Sequence, residues 1–171
     1  MKKMFAAALV LLLLSGCADS GGEQEDMSAQ ERTQLYQSAI SDARDEQTNQ
    51  NRPIITSPQD SEAGEVFAAL GLQPEDLSAF AISLSLTDAS AHTVAAFYPA
   101  PGREDAVLEA LDNYVEGQKT GFVYSLTDQY EIAVNTRTEI LEDSTILLVM
   151  CPNQDTVFDA IRDEIEAASF S

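Results

Sequence analysis

The stretch "TILLVMC" at residues 145–151 is a continuous apolar run of strand length. A strand of this composition needs cover on both faces, so it is predicted to lie in the centre of a sheet. The turn "EDS" at 142–144 precedes it, and before that turn apolar and β-branched residues alternate at Ile132, Val134, Thr136, Thr138 and Ile140. This alternation predicts a partner strand. After the central run, helical spacing predicts a closing helix through Val157, Phe158, Ile161 and Ile165.

The same order of elements occurs earlier in the chain. "AFAISLSL" at 79–86 alternates apolar and small residues, and 92–98 forms its predicted hairpin mate. A helix is then predicted to about residue 118, with Val107, Leu111, Tyr114 and Val115 on its apolar face. The prediction is an α+β domain with a four-stranded antiparallel sheet, ordered ββα-ββα with a possible weak internal duplication, and helices on one face.

Helices are also predicted before the sheet. Ser28 and Glu31 form a capping-box pattern, which predicts a helix to about residue 47. Its apolar stripe is thin, so residues 28–50 are expected to dock weakly on the rest. A second helix is predicted to begin near Ser57 and to end at Gly71, and residues 51–171 are assigned to the α+β domain.

Residues 1–16 have the features of an export signal. Lys2 and Lys3 are followed by an apolar run from 4 to 14 and by the small residues Ser15 and Gly16. Eleven apolar residues are too few to span a bilayer, which takes about 20. We therefore predict a signal peptide, followed by a flexible polar tether at 17–27.

The segment Leu14-Ser15-Gly16-Cys17 resembles the lipobox of bacterial lipoproteins. The resemblance implies that Cys17 carries diacylglycerol and becomes the mature N-terminus. It also implies an anchor on the outer face of the cytoplasmic membrane. Each buried methylene contributes about 0.8 kcal/mol, so two acyl chains hold a protein far more firmly than one. The open alternative is a secreted protein with a cysteine at this position by chance.

The charge is strongly acidic, with a formal net value of -20. Without Lys2 and Lys3, seven basic residues remain against 29 acidic ones. Nucleic-acid binding is excluded on this basis, because it is built from Lys and Arg neutralising phosphates. Anionic lipid headgroups are repelled as well, so membrane attachment requires a dedicated anchor.

Few residues suit catalysis or metal binding. His92 is the only histidine, and Cys151 is the only cysteine besides Cys17, so no internal disulfide is expected. If the two hairpins are arranged alike, His92 and Cys151 lie at opposite edges of the sheet, too far apart to act as base and nucleophile. No phosphate loop, metal-ligand cluster or nucleophile elbow is present in the sequence. We expect no enzymatic activity, cofactor or metal.

Aromatic residues concentrate between the two halves, in "GFVYSLTDQYE" at 121–131. Phe122, Tyr124 and Tyr130 are placed in a predicted loop. They could cover the end of the sheet, or they could form an exposed surface for a protein partner.

Four segments together resemble a family of small lipoproteins of Gram-positive bacteria that carry a domain of unknown function. They are "PEDLSAFAISLSL", the helix after "PAPG", "SLTDQYEIA" and "LEDSTILLVM". The resemblance covers about residues 60–168 and the lipobox. It implies an exported, anchored domain with no assigned activity.

Two functions are favoured from the sequence, ahead of a third, a hydrolase or transferase that uses Cys151 as its nucleophile. The first is a non-enzymatic accessory lipoprotein that contacts an envelope protein through Phe122, Tyr124 and Tyr130. The alternative is a lipoprotein that binds a small ligand, which requires a cavity larger than ~300 Å³.

Overall fold

The computed structural model describes residues 27–87, 89–123 and 126–169. Six helices and four strands follow one another along these residues. They are α1 (Ala29–Asp42), α2 (Glu46–Asn51), α3 (Ala63–Leu70), β1 (Leu77–Leu84), β2 (Thr93–Pro99), α4 (Glu104–Phe122), α5 (Thr127–Val134), β3 (Arg137–Ile140), β4 (Ile146–Met150) and α6 (Gln154–Ser169). The predicted α+β class with a four-stranded antiparallel sheet is confirmed.

The strands are ordered β1-β2-β4-β3, so β4 is a central strand as predicted. All five residues of β4 are buried. It pairs with β3 on one side and with β2 on the other, where Thr93 lies opposite Met150 and Phe97 opposite Ile146. This register brings the start of β2 and the end of β4 together at one end of the sheet.

Helices cover both faces of the sheet, whereas the sequence analysis placed them on one. On one face, Leu148 and Phe97 pack in a cluster with residues of α3 and α4. On the other face, Leu147 and Val149 pack with residues of α1 and α6. The reason is the composition of β4, whose successive side chains point to opposite faces and are all apolar.

The two halves are not simple copies. If the two halves were related by a two-fold axis, it would stand perpendicular to the sheet between the antiparallel strands β2 and β4. Such a rotation does not exchange the faces of the sheet, so it would place α4 on the same face as α6. The structure instead places α4 and α6 in the two different core clusters. The two hairpins therefore repeat, but no single rotation relates the two hairpins and also the helices α4 and α6 that follow them.

The N-terminal helix is firmly packed, and the expectation of weak docking is wrong. Tyr36 and Ile40 are fully buried. The Tyr36 hydroxyl lies 2.5 Å from Thr145 Oγ1, and Arg32 forms a buried ion pair with Asp143. Apolar periodicity underestimates this helix because tyrosine and arginine contribute much of the surface it buries.

The predicted strand over residues 132–140 is wrong in its first half. Residues Thr127–Val134 form α5, and only Arg137–Ile140 are extended. Ala133 is fully buried, and Tyr130 packs against the same core cluster from one turn earlier. Tyr130 and Ala133 are three residues apart, which is helical spacing, and this spacing matches the observed structure. The alternation of Ile132 and Val134, which suggested a strand, does not.

Candidate functional site

A cavity of about 510 Å³ lies at one end of the two central strands. His92 immediately precedes β2, and Cys151 immediately follows β4. Because Thr93 pairs with Met150 in antiparallel register, these neighbouring residues come to the same end of the sheet, and both line the cavity. The expectation that they lie at opposite edges is therefore wrong.

Arg44, between α1 and α2, lines the cavity and is held by neutral groups. Its Nε and Nη2 donate to Asn49 Oδ1 at 3.0 and 2.7 Å, and its Nη1 donates to Ser83 Oγ at 2.7 Å. Burial lowers the pKa of Arg44. The neutral partners fix the orientation of this guanidinium without neutralising its charge.

Arg52, at the end of α2, is the second arginine of the cavity. Its Nη2 donates to Ser90 Oγ at 2.9 Å, which is again a neutral partner. The cavity therefore contains two half-buried guanidinium groups, each bonded only to uncharged acceptors.

These two arginines differ from the other basic residues. Within residues 27–87, 89–123 and 126–169, every other lysine or arginine forms an ion pair, while Arg44 and Arg52 form none. The pairs are Arg32 with Asp143, Arg103 with Asp76, Lys119 with Glu116, Arg137 with Glu139, Asp155 and Asp159, and Arg162 with Asp159 and Asp163. In a chain with net charge -20, two unpaired cations at one cavity are the most specific electrostatic feature of the fold.

Asp45 is the carboxylate nearest in sequence to this pair, and it also lines the cavity. Its oxygens accept bonds from Thr48 N at 2.9 Å and Thr48 Oγ1 at 2.7 Å, which cap α2. These bonds lower the pKa of Asp45. Its carboxylate is used to start the helix and makes no ion pair with either guanidinium.

His92 is 6% exposed, and its Nε2 is buried without a hydrogen-bond partner. Burial, followed by the charges of Arg52 and Arg44, lowers the pKa of His92 to about 3. The imidazole is therefore neutral at physiological pH. A buried polar atom that lacks a partner costs about 1–3 kcal/mol, and a small shift of the ring that exposed this nitrogen to the cavity would allow a bound molecule to satisfy it.

Cys151 is 5% exposed, and burial raises the pKa of its thiol to about 11, although Arg44 acts in the opposite direction. No hydrogen bond joins this thiol to His92 in the described part of the chain. A cysteine nucleophile works as the thiolate and needs an adjacent base. The two residues thus share a cavity, but the thiol stays protonated near pH 7, and an imidazole with a pKa of about 3 is too weak a base to deprotonate it.

The remaining wall comes partly from α5. Gln129 Oε1 accepts a bond from Ala91 N at 2.8 Å, which leaves the Gln129 amide NH₂ as a donor at the cavity. Ile132 of α5 and Val157 of α6 add apolar surface. Gln129 was not predicted as a site residue because its segment was predicted to be a loop, and neither Arg44 nor Arg52 was predicted from the sequence. One feature of the sequence could have drawn attention to Arg44 and Arg52. Only seven basic residues occur besides Lys2 and Lys3, and these two lie close together along the chain.

Of the aromatic residues proposed as a partner surface, the two that the structure describes, Phe122 and Tyr130, pack against the same core cluster. Phe122 is 4% exposed and belongs to the core, so assigning it to a contact surface is wrong. Tyr130 is half-buried against the same core. Tyr124 and the predicted lipidation residue Cys17 lie outside the described residues.

Two further observations concern metals and membranes. Across the described residues, no group of three or more His, Cys, Asp or Glu side chains could hold a metal ion. None of the described helices is long and apolar enough to cross a bilayer.

Fold and site together define an α+β domain with a cation-lined cavity at the end of its sheet. In comparison with known proteins, no family model, curated protein or solved structure matches the chain. The resemblance to small Gram-positive lipoproteins stays a prediction from the sequence.

Proposed function

We propose that this protein is a lipid-anchored extracytoplasmic domain that binds a small molecule in the cavity at the end of the central strands β2 and β4, beside α2. The observation that carries the proposal is His92 Nε2, a nearly fully buried polar atom without a partner at a cavity of about 510 Å³. The volume lies within the usual range of ligand sites, about 300–1,000 Å³. A bound molecule would supply the missing hydrogen bond once a small shift of the ring exposes this nitrogen to the cavity.

The placement outside the cell rests on the sequence. Lys2, Lys3, the apolar run and Cys17 support export and lipidation, and they are independent of the cavity. A lipid on Cys17 would hold the binding domain near the membrane through the polar tether, where it would meet molecules that pass through the envelope.

Contact with an envelope protein is the second candidate function. Val123 and Leu126, which flank Tyr124, are 40% and 37% exposed. Exposed apolar side chains of this kind favour an interface. Replacing both with serine should reduce co-purification of a partner and leave the cavity intact. Unchanged co-purification would remove this candidate.

The binding proposal is tested by the accessibility of Cys151. We expect a small-molecule extract of the native envelope to slow alkylation of Cys151 by iodoacetamide in the folded full chain, since an occupied cavity shields the thiol. The reaction is run for hours at about pH 9.5, because burial raises the pKa of this thiol to about 11 and only the thiolate is alkylated. Peptide mass spectrometry separates Cys151 from Cys17, and the urea-unfolded chain is the control in which the extract has no effect. Equal alkylation of the folded chain with and without the extract would contradict the proposal.

A further inference from the structure

We infer that the ligand is an organic anion, whose charged group is held by Arg44 and Arg52 and whose uncharged part contacts the apolar wall of the cavity. The inference rests on the proposed binding function and adds the chemical class of the ligand. Carboxylate and phosphate groups share the required chemistry, because both present planar or clustered oxygens to a guanidinium fork.

The first argument is charge. Arg44 and Arg52 are half-buried and have no carboxylate partner among the residues that the structure describes. Buried charges in proteins are normally paired. The chain has 29 acidic residues, yet the cavity leaves these two cations without an ion pair, so the missing counter-charge is expected to come from a ligand.

The second argument is the number of free donors. A guanidinium has five N–H donors. Arg44 uses three of them on Asn49 and Ser83, and Arg52 uses one on Ser90. Both therefore retain N–H groups for a ligand, while their bonded donors hold the groups in place. The amide NH₂ of Gln129 adds an uncharged donor on the α5 side.

The third argument concerns the rest of the ligand. Ala91, Ile132 and Val157 line the cavity beside the polar groups. An inorganic ion would fill only a small part of about 510 Å³ and would leave this apolar surface in contact with water. An anion with a compact apolar body would contact the arginines with its charged group and the apolar side chains with the rest of the molecule.

The test compares benzoate and phenyl phosphate with benzamide, a neutral molecule of nearly the same shape as benzoate. The full chain in a nonionic detergent is labelled with nitrogen-15. His92 is the only histidine, so its imidazole signals report directly on the cavity. We expect benzoate or phenyl phosphate to shift these signals and benzamide to bind at least roughly tenfold more weakly, because it lacks the charge-assisted bonds.

Variants separate charge from structure. Arg52→Gln should weaken binding of the anions roughly tenfold, and Arg52→Lys should retain part of it. Arg162→Gln is the matched control, since it removes the same charge from an arginine outside the cavity that is paired with Asp159 and Asp163. The control should bind the anions like the unaltered protein.

Three results would overturn the inference. They are benzamide binding as tightly as benzoate, Arg52→Gln binding the anions like Arg162→Gln, and no shift of the His92 signals by any probe. The first two would leave the proposed binding function standing, the first with an uncharged ligand class and the second without the role assigned to Arg52. That function itself is decided by the envelope extract and the alkylation of Cys151.

Discussion

At the scale of single residues, burial controls the ionisation of the cavity. It lowers the pKa of His92 to about 3 and raises that of Cys151 to about 11, so both are neutral near pH 7. Neither value follows from the sequence, because each depends on which long-range neighbours exclude water. The sequence identifies His92 as the only histidine and Cys151 as the only cysteine besides Cys17. It is the register of β2 against β4 that brings the two residues together.

A first prediction concerns the titration of His92. Its folded pKa lies below the ordinary value of 6.5, so the neutral form stabilises the fold above pH 6.5, and this stability is lost as the pH falls towards 3. Nitrogen-15 signals of the imidazole should show a neutral ring at pH 5. A titration midpoint near 6.5 would show that the ring is solvated and would remove the premise of a buried contact atom.

A second prediction concerns the buried pair Arg32–Asp143, whose side chains are 7% and 8% exposed. Burial would raise the pKa of Asp143, but bonds from Thr145 and Arg32 bring it below its ordinary value. Asp143→Asn leaves the Arg32 charge uncompensated and should lower the free energy of unfolding by about 3 kcal/mol in urea denaturation. Glu142→Gln, an exposed change in the same turn, should cost less than about 0.5 kcal/mol. Equal effects would contradict this account.

At the scale of elements, continuous or alternating apolar runs identified β1, β2 and β4 well. They failed at α5, where a run of eight residues is short enough to fit either period. They also underestimated α1, because Arg32 and Tyr36 are buried through polar contacts that apolar periodicity does not count. Both errors affected the prediction of the site, because α5 supplies Gln129 and the end of α1 leads into Arg44.

The packing of α1 gives a third prediction. Ile40 is fully buried, so Ile40→Ala should lower the free energy of unfolding by about 2–5 kcal/mol. Gln37→Ala, on the exposed side of the same helix, should change it by less than about 0.5 kcal/mol. An Ile40→Ala protein as stable as the Gln37→Ala control would show that α1 is only loosely attached, and Arg44 would then have no fixed position.

At the scale of the whole molecule, the acidic surface and the cation-lined cavity have opposite charge. Composition alone revealed the acidic charge and predicts that nucleic acid is not a partner. It could not reveal the cavity, because five of the seven basic residues other than Lys2 and Lys3 are paired at the surface or in the core, and only the fold shows which two are not.

A fourth prediction concerns the membrane anchor. Cys17→Ser should release the protein from the membrane fraction, because no diacylglycerol can be attached, while the cavity should be unaffected. Fractionation with detection of the full chain measures this, and Cys151→Ser is the matched control that should stay membrane-bound. Release of both variants, or of neither, would contradict lipidation at Cys17.

Native mass spectrometry of the full chain, purified gently from its own envelope, tests the central claim most directly. Thr156→Phe should block the cavity, and Ala160→Phe, one turn along the exposed side of α6, should not. The account predicts a bound small molecule on the unaltered protein and on Ala160→Phe, absent from Thr156→Phe and lost on unfolding. A native protein without any bound molecule, or one that keeps it in Thr156→Phe, would contradict the assignment of this cavity as the binding site.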